Sequence, residues 1–343
     1  MKIVYVLPYE GEVEIVSAGV SGGEVLAVDD VARVEPSVRG EVEILSVFVD
    51  YQVTAEVLDI FPNLKMISTR SVGYDHIDMA TAAKRGIVVC RVPHYGTRTV
   101  AEYAIALIFA LSRNAFKAYT DMKKNASITN FSSYEGFDLA GKTLGVVGTG
   151  AIGRNVCLIA RGLGLKVLAY DVSPDEAFAK ENNLQYTTLE ETLKAADIVT
   201  LHIPLIPPTK HLINEEKLRL MKPGSYLINT ARGEIVDTKA LVQVLEEGHL
   251  AGAGLDVLEG ERELREEAEL LSASGPGAKS AKTNAELWQT LVADHALLDM
   301  PNVIVTPHIA FNTVEAKREI TDITLANINK FIAGKPQNIV TNK

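Results

Sequence analysis

Residues 143–171 read TLGVVGTGAIGRNVCLIARGLGLKVLAYD, and this stretch leaves few folds open. An apolar strand at 143–147 runs into Gly148-Thr149-Gly150-Ala151-Ile152-Gly153. A helix at 151–164 leaves it, and a strand at 166–170 leads to Asp171, 18 residues after Gly153. That combination of strand, GxGxxG, helix and acid is the full context of a dinucleotide fingerprint. The first glycine permits a tight turn, the second lets backbone approach a pyrophosphate, and the third lets helix and strand pack closely. The anion then meets free N–H groups and the positive end of the helix dipole. A carboxylate at Asp171 accepts hydrogen bonds from ribose hydroxyls and repels a 2′-phosphate, so NAD is expected rather than NADP.

The rest of the chain extends this pattern. Short runs rich in Val and Ile at 2–6, 42–49, 65–68 and 87–90 read as strands, with helical composition at 54–61 and 76–85. After residue 142 further strands are expected at 198–202, 225–229, 251–255 and 303–306, with helices between them. Strands alternating with helices imply parallel sheets covered on both faces. At 343 residues two domains are expected. They are read as two Rossmann-like α/β domains with a cleft between them: an outer, substrate-binding domain of 1–98 plus 311–343, and an NAD-binding domain of 99–310. Residues 99–118 read as one long helix, apolar nearly all round, and 313–333 as a terminal helix that returns to the first domain. The stretch 125–141 lacks helical periodicity, and 272–282, rich in Ser, Gly and Ala, reads as a loop.

Composition excludes several function classes. The net charge of −10 is opposite to what a protein that neutralises phosphates needs, so neither nucleic acid nor an anionic membrane is an expected partner. The longest strongly apolar run, 103–111, is far short of the roughly 20 residues that span a bilayer. The N-terminal MKIVYVLPYEGEVE is too short and too acidic for a signal peptide. Cys90 and Cys157 stand apart in apolar surroundings, with no pattern for a disulfide framework or zinc site, so no metal is expected and a cytoplasmic location is.

Three segments carry candidate chemistry, each at the C-terminal side of an expected strand, where open parallel sheets bind ligands. Asn229-Thr230-Ala231-Arg232-Gly233 offers a guanidinium that can grip a carboxylate through two parallel bonds. Asp256-Val257-Leu258-Glu259-Gly260-Glu261 offers carboxylates. Thr306-Pro307-His308 offers an imidazole, and a carboxylate beside an imidazole favours its charged form. A cation, a proton donor and a group that keeps the donor charged are what reduction of a 2-oxo acid by a nicotinamide requires.

Seven motifs, in order, resemble the D-isomer-specific 2-hydroxyacid dehydrogenases and within them the D-lactate dehydrogenase branch. They are SVGYDHID (71–78), VPHYGTRTVAE (92–102), GTGAIG (148–153), LHIPL (201–205), NTARGEIVD (229–237), GLDVLEGE (254–261) and TPHIAF (306–311). The likeness spans about 64 to 334. It implies that Arg232 binds the substrate carboxylate and oxo group, that His308 is the acid/base, and that Glu261 pairs with His308. An offset of five from Asp256 selects Glu261 over Glu259. Val72 and Gly73 match a turn whose amides hold the carboxylate, while Tyr95 and Phe311 match aromatics over the substrate and around its side chain. Gly148, Gly150, Ala151, Ile152, Gly153, Asp171, His202, Pro204, Thr230, Ala231 and Asp256 are the cofactor-binding candidates, Asp256 near the nicotinamide carboxamide. His202 is expected to be structural rather than catalytic, and His76 and His94 ordinary loop residues. A homodimer through 99–141 is implied as well.

One departure stands out. Glu261 and His308 lie 47 positions apart, longer than the family leads one to expect, with charged and Ser/Gly-rich sequence and then a helix near 284–298. The extra segment reads as an inert insertion or a lid. The expected activity is NAD-dependent interconversion of a pyruvate-like 2-oxo acid and its D-2-hydroxy acid. The alternatives are glyoxylate, hydroxypyruvate or a branched 2-oxo acid as substrate, or an NAD-sensing binding protein without turnover.

Overall fold

The computed structural model describes residues 1–125, 131–261, 264 and 285–340. The loop expected at 272–282 lies outside the described residues. The chain divides into two compact units, one of 1–96 and 312–343 and the other of 97–311.

The first unit is a five-stranded sheet of β1 (Lys2–Val6), β2 (Glu24–Val28), β3 (Val42–Val47), β4 (Met66–Thr69) and β5 (Val88–Cys90), in the order β2-β1-β3-β4-β5. All neighbours are parallel. Ile3 to Val6 and all of β4 are buried, as expected of strands covered on both faces. The edge strand β2 is half-exposed and was not anticipated; Glu24-Val-Leu-Ala-Val28 is too short for a clear pattern. The helix Val314–Ile332 buries Ile320, Thr324 and Ile328 in this unit. Cys90 is buried at the end of β5, and burial pushes its thiol up to about 11, so it is an inert packing residue.

Arg70, directly after β4, is fully buried, and it locks the carboxyl ends of two strands together. Its Nη2 donates to the carbonyls of Val6 (2.6 Å) and Leu7 (2.9 Å), and its guanidinium lies 4.3 Å from the Tyr5 ring centre. Its charge is met by Glu12, 3.6 Å away, which also accepts from Tyr5 Oη at 2.6 Å and from the Tyr9 amide at 2.9 Å. Paired and hydrogen-bonded in this way, the two charges can be buried.

The second unit is a seven-stranded parallel sheet of β6 (Thr143–Val147), β7 (Lys166–Tyr170), β8 (Gln185–Tyr186), β9 (Ile198–Leu201), β10 (Ser225–Asn229), β11 (Leu250–Leu255) and β12 (Val303–Val305). Its order is β12-β11-β10-β9-β6-β7-β8. The chain runs outward from β6 through β7 and β8, then returns to build β9 on the other side of β6. The GxGxxG turn leaves β6 at that topological switch, where a crevice for ligands opens.

The single helix expected at 99–118 is two helices, Thr97–Ser112 and Ala115–Asn125. Asn114 breaks it by adopting a left-handed conformation (φ 50°), which asparagine tolerates, and its Nδ2 donates to the Glu135 carbonyl at 2.8 Å. Nor is the apolar surface buried all round: Ala101, Ala104, Leu107, Ile108 and Leu111 face the core, whereas Phe109, Phe116, Tyr119 and Met122 are exposed.

Candidate active site

The GxGxxG turn has the shape its glycines demand. Gly148 sits at φ 94°, and a Cβ there would lie 2.6 Å from the His202 carbonyl. A Cβ on Gly153 would overlap the Gly148 carbonyl, so helix 151–162 packs backbone to backbone on its own turn. Gly150 caps that helix, and a Cβ on it would meet nothing, leaving the helix N-terminus open for an anion. Asp171 is already oriented: Oδ2 accepts from the Thr149 amide (2.7 Å) and hydroxyl (3.1 Å), and Oδ1 from the Ser173 amide (2.9 Å). Thr149 Oγ1 also lies 2.7 Å from Tyr186 Oη, a brace that sequence gave no reason to expect. Thr230 carries a buried hydroxyl with no hydrogen-bond partner among the described residues. An open helix N-terminus, an oriented carboxylate and an orphaned hydroxyl together fit a dinucleotide.

The other cofactor candidates take varied places. Ala151 is exposed on the first turn of the helix, and Ile152 packs on the apolar cluster beneath it. His202 contacts Thr200 Oγ1 through Nε2 at 2.9 Å, and burial pushes its pKa down to about 3, so the ring is neutral at any working pH. The Pro204 carbonyl accepts from Thr209 Oγ1 (2.7 Å), and the Ala231 amide donates to Asn229 Oδ1 (3.0 Å).

Three strand ends converge on the candidate chemistry. After β10, the buried Asn229 side chain closes the turn that presents Arg232: Oδ1 takes the Ala231 amide and Nδ2 donates to the Arg232 carbonyl at 2.8 Å. Gly233 then packs so closely that a Cβ would overlap the Leu258 backbone, which ties the Arg232 turn to the segment 256–261. After β11, Asp256 is buried, and both its oxygens hold the segment that follows β12. Oδ1 accepts from Thr306 Oγ1 (2.6 Å) and the Ile309 amide (2.9 Å), and Oδ2 from the Ala310 amide (2.8 Å). Burial raises the Asp256 pKa, and these donors oppose the rise. The His308 amide adds a bond to the Asp256 carbonyl at 2.8 Å, so His308 is held in a left-handed conformation (φ 55°). Such a conformation persists in a non-glycine residue only where its surroundings over-determine it.

His308 turns Nδ1 to Glu261, 3.2 Å from Oε2 and 3.3 Å from Oε1, with both side chains about a quarter exposed (20% and 26%). Glu259 points elsewhere, its Oε1 2.6 Å from Nε2 of His211. Phe311, three residues beyond His308, is half-buried.

Val72, Gly73 and Tyr95 belong to the first unit. Ser71 Oγ donates to the Gly73 carbonyl (2.6 Å) and meets Thr69 Oγ1 (2.6 Å), which fixes the turn; among the described residues the Val72 and Gly73 amides donate no backbone hydrogen bond. Tyr95 is half-buried. His76, expected to be an ordinary loop residue, is buried with Nε2 3.1 Å from Thr69 Oγ1, because the loop folds back under β4.

Residues 105–310 match the model of the NAD-binding domain of the D-isomer-specific 2-hydroxyacid dehydrogenases. The chain is 37% identical over 312 residues to a glyoxylate reductase of Thermofilum pendens, covering 90% of this chain and 83% of the relative. It is 37% identical over 292 residues to a glycerate dehydrogenase of Methylorubrum extorquens, covering 83% and 82%. The crystal structure of a D-lactate dehydrogenase from Aquifex aeolicus, complexed with NAD and lactic acid, superposes with a TM-score of 0.85 at 34% identity, covering 99% of both chains. With its dinucleotide turn, its strand-end constellation and these likenesses, the chain belongs to the D-isomer-specific 2-hydroxyacid dehydrogenase family.

Proposed function

We propose that this protein reduces a pyruvate-like 2-oxo acid to its D-2-hydroxy acid, and catalyses the reverse oxidation, with Arg232, Glu261 and His308 as the catalytic set. The observation that carries this reading is the His308–Glu261 pair, held at the ends of β11 and β12 beside the Arg232 turn. NADH supplies the hydride that the oxo carbon takes up. Because Glu261 can only accept at Nδ1, the proton on that nitrogen is fixed and Nε2 is the one that gives a proton to the oxo oxygen. In the reverse direction Nε2 takes the proton back from the hydroxyl. Arg232 holds carboxylate and oxo oxygen in one plane, and for the Val72 and Gly73 amides the carboxylate role rests on the family resemblance of their motif. Asp256 keeps the His308 loop in its left-handed geometry, whatever further contact it makes with the nicotinamide.

The roles that the family resemblance gives Tyr95 and Phe311 favour a small apolar substituent, and the Aquifex likeness supports pyruvate. The curated relatives favour the second reading, glyoxylate or hydroxypyruvate. A panel of pyruvate, glyoxylate, hydroxypyruvate and a branched 2-oxo acid with NADH separates them, with kcat/KM expected to be highest for pyruvate. NADH oxidation with none of them would reduce the protein to a nucleotide-binding module.

Asp171 is assigned to the adenine ribose. Asp171→Ala removes the acceptor and the repulsion together, so NADH affinity should fall while NADPH gains relative to it. Two lost hydrogen bonds of about 1 kcal/mol each correspond to a loss of roughly tenfold or more. Fluorescence titration with both nucleotides checks this, and an unchanged preference would remove Asp171 from the role.

A further inference from the structure

Between Glu261 and His308, ahead of β12, lies the helix Ala285–Asp299, and this helix reaches the segment that carries Glu261. Asp294, with no solvent exposure, accepts the Gly260 amide through Oδ2 at 2.9 Å. Thr290 is buried one turn earlier on the same helix face. A Cβ on Gly260 would lie 2.5 Å from Asp294 Oδ2 and 3.5 Å from Thr290 Cγ2, so the glycine is what lets the helix approach. Leu291, Ala293 and Leu297 are buried, and Lys239 Nζ reaches Gln289 Oε1 at 2.8 Å from the neighbouring helix Thr238–Glu246. On the other side of the segment, Glu259 is held by His211. Residues 259 and 260 are thus each anchored, and Glu261 is the next residue along.

We propose that Asp294 is a positioning residue for Glu261: by accepting the Gly260 amide it sets the backbone from which the Glu261 carboxylate reaches His308, which makes the last helix of the long segment part of the catalytic device. The proposal rests on the reading of Glu261 and His308 given above. The Glu261–His308 separation of 3.2–3.3 Å is already beyond the 2.7–2.9 Å typical of a charge-assisted bond, so a small backbone shift loses it. A buried carboxylate is costly unless donors face it, and the Gly260 amide is one such donor. An inert spacer would have no need to direct a buried acid at the residue before Glu261.

The test uses the full-length enzyme and measures kcat, KM for the best 2-oxo acid, the NADH Kd and Tm. Asp294→Ala is expected to lower kcat by about ten- to a hundredfold, the scale of a displacement of about 1 Å in a catalytic group, with the NADH Kd within about threefold. Asp294→Asn keeps an acceptor for the same amide and should retain kcat within about threefold. In a Glu261→Gln background Asp294→Ala should cost almost nothing more, because both act through one group. If Asp294→Ala does not fold, Gly260→Ala displaces the same carboxylate and should give the same loss of kcat. A kcat within about twofold of wild type in either variant, equal losses in the Ala and Asn variants, or full additivity with Glu261→Gln would overturn the proposal. Near-normal turnover in His308→Gln or Glu261→Gln would instead overturn the reading beneath it.

Discussion

His308→Gln is expected to lower kcat for 2-oxo acid reduction by about 10²–10⁴-fold, the usual worth of a positioned acid/base, with little change in NADH affinity. Glutamine keeps much of the length and polarity of histidine but cannot deliver a proton at Nε2. The dinucleotide turn lies at the end of β6, whereas His308 follows β12 at the edge of the same sheet, so the cofactor half of the site should not feel the change. Tm is the necessary control, since His308 occupies a left-handed backbone position that Asp256 stabilises. A variant that keeps its Tm and its turnover would take His308 out of the mechanism.

The second large effect concerns Arg232. Two charge-assisted hydrogen bonds to the substrate, at about 1.5–3 kcal/mol each, amount to about 3–6 kcal/mol. At 1.36 kcal/mol per tenfold, Arg232→Gln should lower kcat/KM by about 10²–10⁴-fold. Arg232→Lys should recover only a fraction of this, because an ammonium cannot reproduce the two-pronged geometry. Steady-state kinetics on both variants check the ordering; a lysine enzyme equal to wild type would show that Arg232 supplies charge alone.

The parts of the molecule that local spacing dictates were readable beforehand. The strands at 2–6, 143–147, 166–170 and 225–229 have the bounds their apolar runs suggested, and the glycines at 148 and 153 each meet a distinct local demand. Weak local signals were missed. β2 and the two-residue β8 are edge strands with too little burial to impose a pattern, and no Gly or Pro marks the break at Asn114. Long-range partners were illegible for a different reason. Arg70 and Glu12 are 58 positions apart, and Asp294 and Gly260 are 34 apart, and each pair meets only because a sheet or a docked helix brings it together. The same holds for Asp256, whose grip on residues 306–310 depends on β11 and β12 being neighbours.

In the proposed reaction, hydride passes between the nicotinamide and the oxo carbon on the face that gives a D-product. Reducing pyruvate with NADH deuterated at the transferred position, then analysing the lactate by mass and chirality, tests it most directly. The expected product is D-lactate with one deuterium at C2. L-lactate, or lactate without deuterium at C2, would contradict it.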